Sequence, residues 1–511
     1  MLGFRAIGHT LRLARAGYVM AREGTFVGVE DFAPPSARWA LKLANLLARR
    51  GAGRSEGLAK AMVKLGPSYV KLGQFLSTRP DIVGTEVSVG LEKLQDRVAP
   101  EPRGVAIAAV ERAFGQKIDT LFSEFGEPVA AASVAQVHRA KRREGGERPD
   151  VAVKILRPNI QRRFARDLGD MAFAAEFAEW WEPSLRRLRL KEVVATLDRS
   201  VRMEMDMRLE AAAASEFREN LGDDTNFRAP EIDWDLTTRE VLTMEWIDAA
   251  PMADPAPLLA AGHDPKRLAA TFIQGFLRHS LHVGFFHADM HQGNVMVDAE
   301  GRIALVDFGI MGRLGRIERR FLAEVLYGFI NRDYMRVAQL HIDIGYVPKR
   351  FRVEDFAQAI RAIGEPIHAK PAHQISMAKL LTLLFEVTAL FDMATRVELV
   401  MLQKTMVVVE GVARKLDPEL NIWSTAEPVV GDWIARNLGP LGRLESAMAT
   451  LKEVAHALEG APQTIENLKT AIERLSRGEA ALEKAPRLAL SVMEVVTILF
   501  VCLALAALWR R

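Results

Sequence analysis

The chain has 511 residues, 49% of them hydrophobic, and a formal net charge of only +3. That length allows two or three domains with a large core, and the near-neutral balance argues against a dedicated nucleic-acid binder. One cysteine, Cys502, excludes a disulfide framework and a thiolate zinc site, which suits a reducing compartment. The N-terminus lacks a charged region followed by an apolar run and a small-residue cleavage site, so no secretory signal is expected.

Residues 1–50 read as helix, with Arg5, Arg12, Arg15 and Arg22 spread among apolar residues. A solvated helix face is the simpler reading. A basic amphipathic segment on an anionic membrane surface is the sharper one. Gly66-Pro67 opens another helix, SYVKLGQFLSTRP, with proline in the first turn, where its missing N–H costs nothing. Lys71 and Gln74 stand three apart and share a face, which Gly73 leaves thin.

Pro100 and Pro102 mark a boundary, and a short helix runs from Val105 to Phe114. Val129–Ala130 and Val134–Ala140 then read as a hairpin, followed by a strand, VAVKILRP. Its Lys154 is either a strand-end lysine reaching solvent or the lysine that kinase-like folds place on the α- and β-phosphates. The hairpin loop favours the second. Kinases use glycines there, where backbone N–H groups approach phosphate, but this loop has Ala130, Ala131, Ala132 and Ser133. Alanine permits close approach and resists left-handed conformations, so a stiffer loop is expected. No GxxxxGK[ST] stretch exists, which removes a P-loop fold.

A long helical stretch follows. Asp206 and Glu210, four apart, are expected to share a helix face, with Glu204 just off it. Glu210 heads an alanine run that allows close packing and is the expected partner of Lys154. Residues Arg239–Ile247 read as a strand leading to a linker, where an adenine would meet the backbone of Glu245 to Ile247. A Pro-rich stretch opens a second, helical lobe, and a helix over Leu268–Val283 leads to HADMHQGNVMVDAEGRIALVDFG. Asp289, then Asn294 five residues on, then a hairpin ending in Asp307-Phe308-Gly309, is the layout of kinase catalytic and metal-binding loops. A rival reading places His287, Asp289 and His291 on one strand face as a hydrolase metal site. It ranks lower because of the lysine strand upstream. Between Phe308 and Phe321 there is no Ser, Thr or Tyr, and no APE motif follows, so activation-loop phosphorylation is not expected. Residues 320–440 are helical in pattern. The apolar stretch Leu488–Trp509 would span roughly 33 Å as helix, enough for a membrane core of about 30 Å.

Taken together, these residues resemble the UbiB family of atypical kinase-like proteins, which support ubiquinone biosynthesis. Lys71-Leu-Gly-Gln74 resembles the family's KxGQ motif, which folds over the active site, and residues 130–137 resemble its alanine-rich loop. Glu204-Met-Asp206 resembles its ExD motif, and His287 to Asn294 matches its HxDxHxGN loop, whose histidines carry no hydrolase metal. Departures are Ala213, where family members often have Asn, and Met290 and Gln292, where prolines are common.

The expected fold is α+β: a two-lobed, protein-kinase-like fold with an N-terminal helical extension and a C-terminal transmembrane helix. Its divisions are 1–115, the extension; 116–248, the N-lobe; 249–480, the helical C-lobe; and 488–509, the membrane helix. The resemblance implies an ATP-binding phosphotransferase or ATPase at the inner face of a bacterial membrane. Asp289 would be the general base. Lys154 and Glu210 would position phosphate, and Asn294 and Asp307 would hold Mg²⁺. Nucleotide contacts would come from Val129, Ala130, Ala131, Ala132, Ser133, Val134, Ala135, Gln136, Val137, Glu245 and Ile247. Lys71, Gln74, Glu204 and Asp206 would regulate. Expected partners are a membrane lipid or quinone precursor and ubiquinone-biosynthesis enzymes, with a homodimer left open. A second reading from another class is a non-catalytic, nucleotide-gated scaffold.

Overall fold

The computed structural model describes residues 2–26, 42, 44–48, 54–77, 87, 90–91, 94, 99–143, 150–181, 183, 186, 189–368, 387, 390–393 and 397–439. Helices α1 (Leu2–Arg22), α2 (Arg54–Leu65), α3 (Pro67–Ser77) and α4 (Arg103–Phe114) precede strands β1 (Phe122–Ala131), β2 (Ala135–Arg142) and β3 (Asp150–Leu156). Next come α5 (Ile160–Trp181), α6 (Leu190–Glu204), α7 (Met207–Leu221), β4 (Phe227–Arg228), β5 (Val241–Glu245) and β6 (Ala249–Pro251). The second lobe contains α8 (Pro255–Ala260), α9 (Pro265–Arg278), β7 (Phe285–His287), β8 (Val295–Asp298), β9 (Ile303–Leu305) and β10 (Met311–Arg313). It continues through α10 (Arg316–Ile330), α11 (Tyr334–Asp343), α12 (Val353–His368), α13 (Val397–Leu416) and α14 (Ile422–Leu438). The chain divides into two compact units, Met1–Ile434 and Ala435–Arg511.

The N-lobe sheet is antiparallel in the order β1-β2-β3-β5. Its side chains alternate between two faces. Val151, Val153 and Ile155 point to one, where Ala106, Ala109 and Val110 of α4 close a core. Lys154 points to the other. In register with it stand Val137 on β2 and Leu242 on β5. Three consecutive helices, α5 to α7, follow β3 before the chain returns to the sheet. A helix break at Met205–Asp206 corrects the expectation of one continuous face. Glu204 ends α6, and Asp206 caps α7 by accepting a hydrogen bond from the Arg208 amide. Only Glu210 of the three acids therefore lies inside α7.

In the second lobe, β8 and β9 pair with Val295 opposite Leu305, and Gly301 takes φ +81° at the turn. The helix entering this lobe ends earlier than expected. α9 stops at Arg278, and a π-helical turn, His279–Val283, delivers the chain to β7. Among the described residues no helix is long and apolar enough to cross a membrane. The α+β, kinase-like fold stands; the stretch expected as a C-terminal transmembrane helix, 488–509, lies outside the described residues.

Candidate active site

Lys154 is the centre of the site. Its ammonium donates to Glu210 Oε1 at 2.6 Å and to Asp307 Oδ2 at 2.9 Å. β3 supplies the lysine, the first turn of α7 the glutamate, and the end of the β8–β9 hairpin the aspartate. Burial alone would depress the lysine; the charges of Asp307 and Glu210 override it and hold the ammonium above its ordinary value. Burial pushes the Glu210 carboxyl up to about 7, against the pull of Lys154 and with help from the Asp307 charge. Asp307 moves the other way. Burial would raise it, but Lys154 and the Gly309 amide, which donates at 3.0 Å, hold it well below the usual carboxylate range. Phe308 is buried against Phe217 and His287, with ring centroids 5.5 and 5.6 Å away, and its amide donates to Glu210.

His287 ties this strand end to the next loop. Its Nδ1 accepts from the Asp289 amide at 3.1 Å, which assigns the proton to Nε2, donating to the Asp307 carbonyl. Burial lowers its pKa. Both ring nitrogens are taken, and the strand stops at His287, so the one-face hydrolase reading of His287, Asp289 and His291 fails. His291 Nδ1 accepts from the Gly293 amide at 3.0 Å. Asp289 is left with its carboxylate part-exposed at the site mouth. Asn294 Nδ2 donates to the Asp289 carbonyl at 3.0 Å, which leaves the amide oxygen as its free acceptor. Asp307 and Asn294 thus each offer the site a side-chain oxygen. No group of three or more His, Cys, Asp or Glu among the described residues could hold a metal. A sparse oxygen set fits Mg²⁺, which keeps waters and phosphate oxygens as its other ligands.

The alanine-rich loop is a tight turn: the Ala132 amide donates to Ala135 O at 2.8 Å. None of its residues has positive φ. Its shape is held instead by Arg157, a residue the sequence reading passed over. Arg157 Nε donates to Ala132 O at 2.9 Å, its Nη2 to Ala99 O at 2.8 Å, and its own amide to Val134 O at 2.9 Å. Val129 and Ala130 are exposed, Ala131, Ala132 and Val137 half-buried, and Ser133, Val134 and Ala135 buried. The Ser133 hydroxyl has no hydrogen-bond partner. Gln136 is a correction. It lies on the sheet face opposite Lys154, and its amide is engaged by the Glu101 backbone and His138, so it cannot touch nucleotide. At the linker, the Glu245 amide donates to Glu231 O and the Trp246 amide to Asp150 O. The Glu245 carboxylate pairs with Arg228 at 2.6 Å. An adenine would therefore find carbonyls and the Ile247 amide rather than every amide of the linker. Met244, in register with Ala152 on the Lys154 face, is a lining residue that the strand reading did not single out.

The residues expected to regulate are joined to this centre in series. Lys71 on α3 forms an ion pair with Glu204 at the end of α6. Asp206, two residues on, caps the helix that carries Glu210, and the Arg208 guanidinium pairs with it at 2.7 Å and lowers its pKa. Gln74 is half-buried, and its carbonyl accepts from Ser77 Oγ at 2.7 Å. Gly73 thins a different face from the one expected: a Cβ there would clash with Met62 of α2 and with Leu94. The far end of α3 meets α13, where Lys404 donates to Ser77 O at 3.0 Å. Its neighbour Thr405 donates to Ala288 O at 2.9 Å, one residue before Asp289, and Lys415 donates to Gln292 at 2.6 Å. No local pattern marks these α13 residues.

Residues 93–341 match the ABC1 atypical kinase-like domain, and residues 360–421 match the UbiB helical domain. A curated relative from Marinobacter nauticus, named probable protein kinase UbiB, is 40% identical over 448 residues, covering 85% of this chain and 80% of its own length. The chain belongs to the UbiB family. A solved structure of Rv3197 with erythromycin, from Mycobacterium tuberculosis, superposes with a TM-score of 0.50 at 24% identity. It covers 77% of this chain and 97% of that one, a likeness of fold alone. The UbiB helical domain ends just beyond α13, so the helix that reaches both Ser77 and Ala288 falls within the family's own region.

Proposed function

We propose that this UbiB-family chain binds ATP with Mg²⁺ and transfers or hydrolyses its terminal phosphoryl group at a membrane, in support of ubiquinone biosynthesis. The observation that carries it is Lys154 held at once by Glu210 and Asp307, the assembled arrangement a kinase-like site needs for phosphate positioning. Lys154 would face the α- and β-phosphates, with Glu210 fixing its reach. Asp307 and Asn294 would hold Mg²⁺, which supplies charge neutralisation to the phosphates. Asp289, oriented by His287 and Asn294, would take the proton of an acceptor hydroxyl or water. The relative's name points to protein substrates. Here α3, tied to Glu204 and to Lys404, supports a lidded groove and an acceptor other than a peptide: a membrane lipid, a phenolic quinone precursor or water.

The test is ATP turnover by the full chain with anionic vesicles and a phenolic precursor, each present and absent. Asp289→Asn should lower turnover by about 10²–10⁴-fold, the usual contribution of a general base, while thermal shift with MgATP stays as in wild type. Wild-type turnover in that variant would remove Asp289 from the role. A wild-type chain that binds MgATP and never turns it over would make the site a nucleotide-gated scaffold.

A further inference from the structure

The C-terminal end of α5 carries three aromatic rings that the core does not use. Phe177, Trp180 and Trp181 are 51%, 68% and 58% exposed, yet they lean on one another with ring centroids 5.8, 5.9 and 6.3 Å apart. A contiguous exposed patch of this kind marks a surface that meets something other than water. The patch continues toward α1. His9 stacks on Phe173 at 5.3 Å, and Arg12 reaches Asp170 at 2.7 Å, so lower numbers on α1 lie beside higher numbers on α5. The two helices run antiparallel, which brings the start of α1 toward the aromatic tip. On α1, Ile7, Leu11 and Tyr18 are 57%, 67% and 50% exposed, and their spacings of four and seven place them on one stripe. α1 holds Arg5, Arg12, Arg15 and Arg22 and no acidic residue.

At the tip itself Arg186 and Lys191 border a cleft of about 460 Å³ floored by Phe173, Phe177 and Trp180. Lys191 is balanced by Glu176 at 3.7 Å, whereas Arg186 donates to the neutral backbone carbonyl of Glu179 at 3.3 Å and keeps its charge at the tip. Positive charge is therefore carried by both halves, by Arg186 at the aromatic tip and by the α1 arginines other than Arg12, which Asp170 neutralises. A second copy of this chain would set one basic α1 against another, which disfavours self-pairing through this face. An anionic bilayer meets both halves. Tryptophan rings favour the headgroup layer, where the ring is dry and the indole N–H wet, and arginines on an amphipathic helix favour lipid phosphates.

We propose that the α1–α5 tip is a membrane-docking surface for anionic phospholipid, seating Phe177, Trp180 and Trp181 in the headgroup layer with Arg186 and the α1 arginines other than Arg12 over the phosphates. It gives the membrane setting of the proposed function an anchor in the N-lobe, separate from Leu488–Trp509. The surface is tested without turnover, so its failure leaves the phosphotransfer reading untouched.

The experiment uses the full chain with Cys502→Ser and a single nitroxide at Trp181→Cys, with Trp234→Cys, itself 52% exposed on the N-lobe, as control. Vesicles are phosphatidylcholine with or without phosphatidylglycerol. The label at 181 should pass from water to lipid accessibility on phosphatidylglycerol vesicles, and the label at 234 should not. The triple variant Phe177→Ser, Trp180→Ser, Trp181→Ser should melt as wild type and lose about tenfold in apparent vesicle affinity. A label at 181 that stays in water while the chain is vesicle-bound would overturn the proposal. So would a triple variant with unchanged vesicle affinity, including one that loses self-association by sedimentation, which would make the face a protein interface.

Discussion

At His279 burial decides a protonation state. The ring lies against the edges of Phe217 and Phe227, 4.8 and 5.0 Å between centroids, and its Nε2 has no hydrogen-bond partner. Burial lowers its pKa from 6.5 to about 4, with nearby Asp224 pulling up and Arg278 pushing down. The unfolded chain therefore binds this proton at higher pH than the folded one. Stability is full above pH 6.5 and falls as pH drops toward 4, by on the order of 3 kcal/mol from this group. His279→Phe should flatten that part of the melting-temperature profile while leaving the melting point near neutral pH little changed. A variant with the same acid-side slope as wild type would assign the effect elsewhere. The candidate site residues were legible because Asp289, Asn294 and Asp307 sit at fixed short spacings. His279 was not, because its environment is made by residues 52 and 62 positions away in the chain.

The alanine-rich loop shows what an element's sequence states and what it omits. Its composition implied a stiff turn, and the turn uses no left-handed residue. The means of stiffening lay outside it: Arg157 bonds two of its carbonyls, at Ala132 and Val134, and reaches Ala99. Arg157→Met should loosen the loop, leaving the backbone bond from residue 157 to Val134 O in place. We expect the KM for ATP to rise about tenfold with a smaller change in kcat, since the interaction positions phosphate rather than reacting atoms. Equal loss in both parameters would mean that the arginine acts on the chemical step. Ala131→Gly approaches the same element from inside and should shift nucleotide handling and raise autophosphorylation. The ExD stretch carries the opposite lesson. Glu204 and Asp206 read as neighbours of Glu210 on one helix, but the N-cap at Asp206 splits them between two helices. Asp and Ser compete for such caps, and a cap is invisible to spacing alone.

Across the whole molecule, two lobes and an extension meet at α3. Its middle is tied by Lys71 to Glu204, its end by Ser77 to Lys404, 327 residues away in the chain. The kinase-like lobes could be anticipated from strands and loops, but the bracing by α13 could not, since Lys404 and Thr405 sit in an unremarkable helical stretch. Lys404→Met should loosen α3 from the second lobe. A fluorescent ADP analogue should then leave about tenfold faster, with a stability loss of about 1.5–3 kcal/mol from the lost hydrogen bond of a charged donor. An unchanged release rate would separate α3 from nucleotide exchange.

The two ties of α3, one at its middle and one at its end, differ in kind, and their pairing has a temporal consequence. One is a largely buried ion pair, its side chains 11% and 23% exposed, which salt screens little; the other is a hydrogen bond from an ammonium to a backbone carbonyl. If spent nucleotide leaves only when both release, its dwell time is set by the rarer of two coincident openings. The molecule then behaves as a timer. Its interval depends little on ionic strength, and a pre-steady-state burst with a slow phase that Lys71→Met or Lys404→Met shortens is its signature.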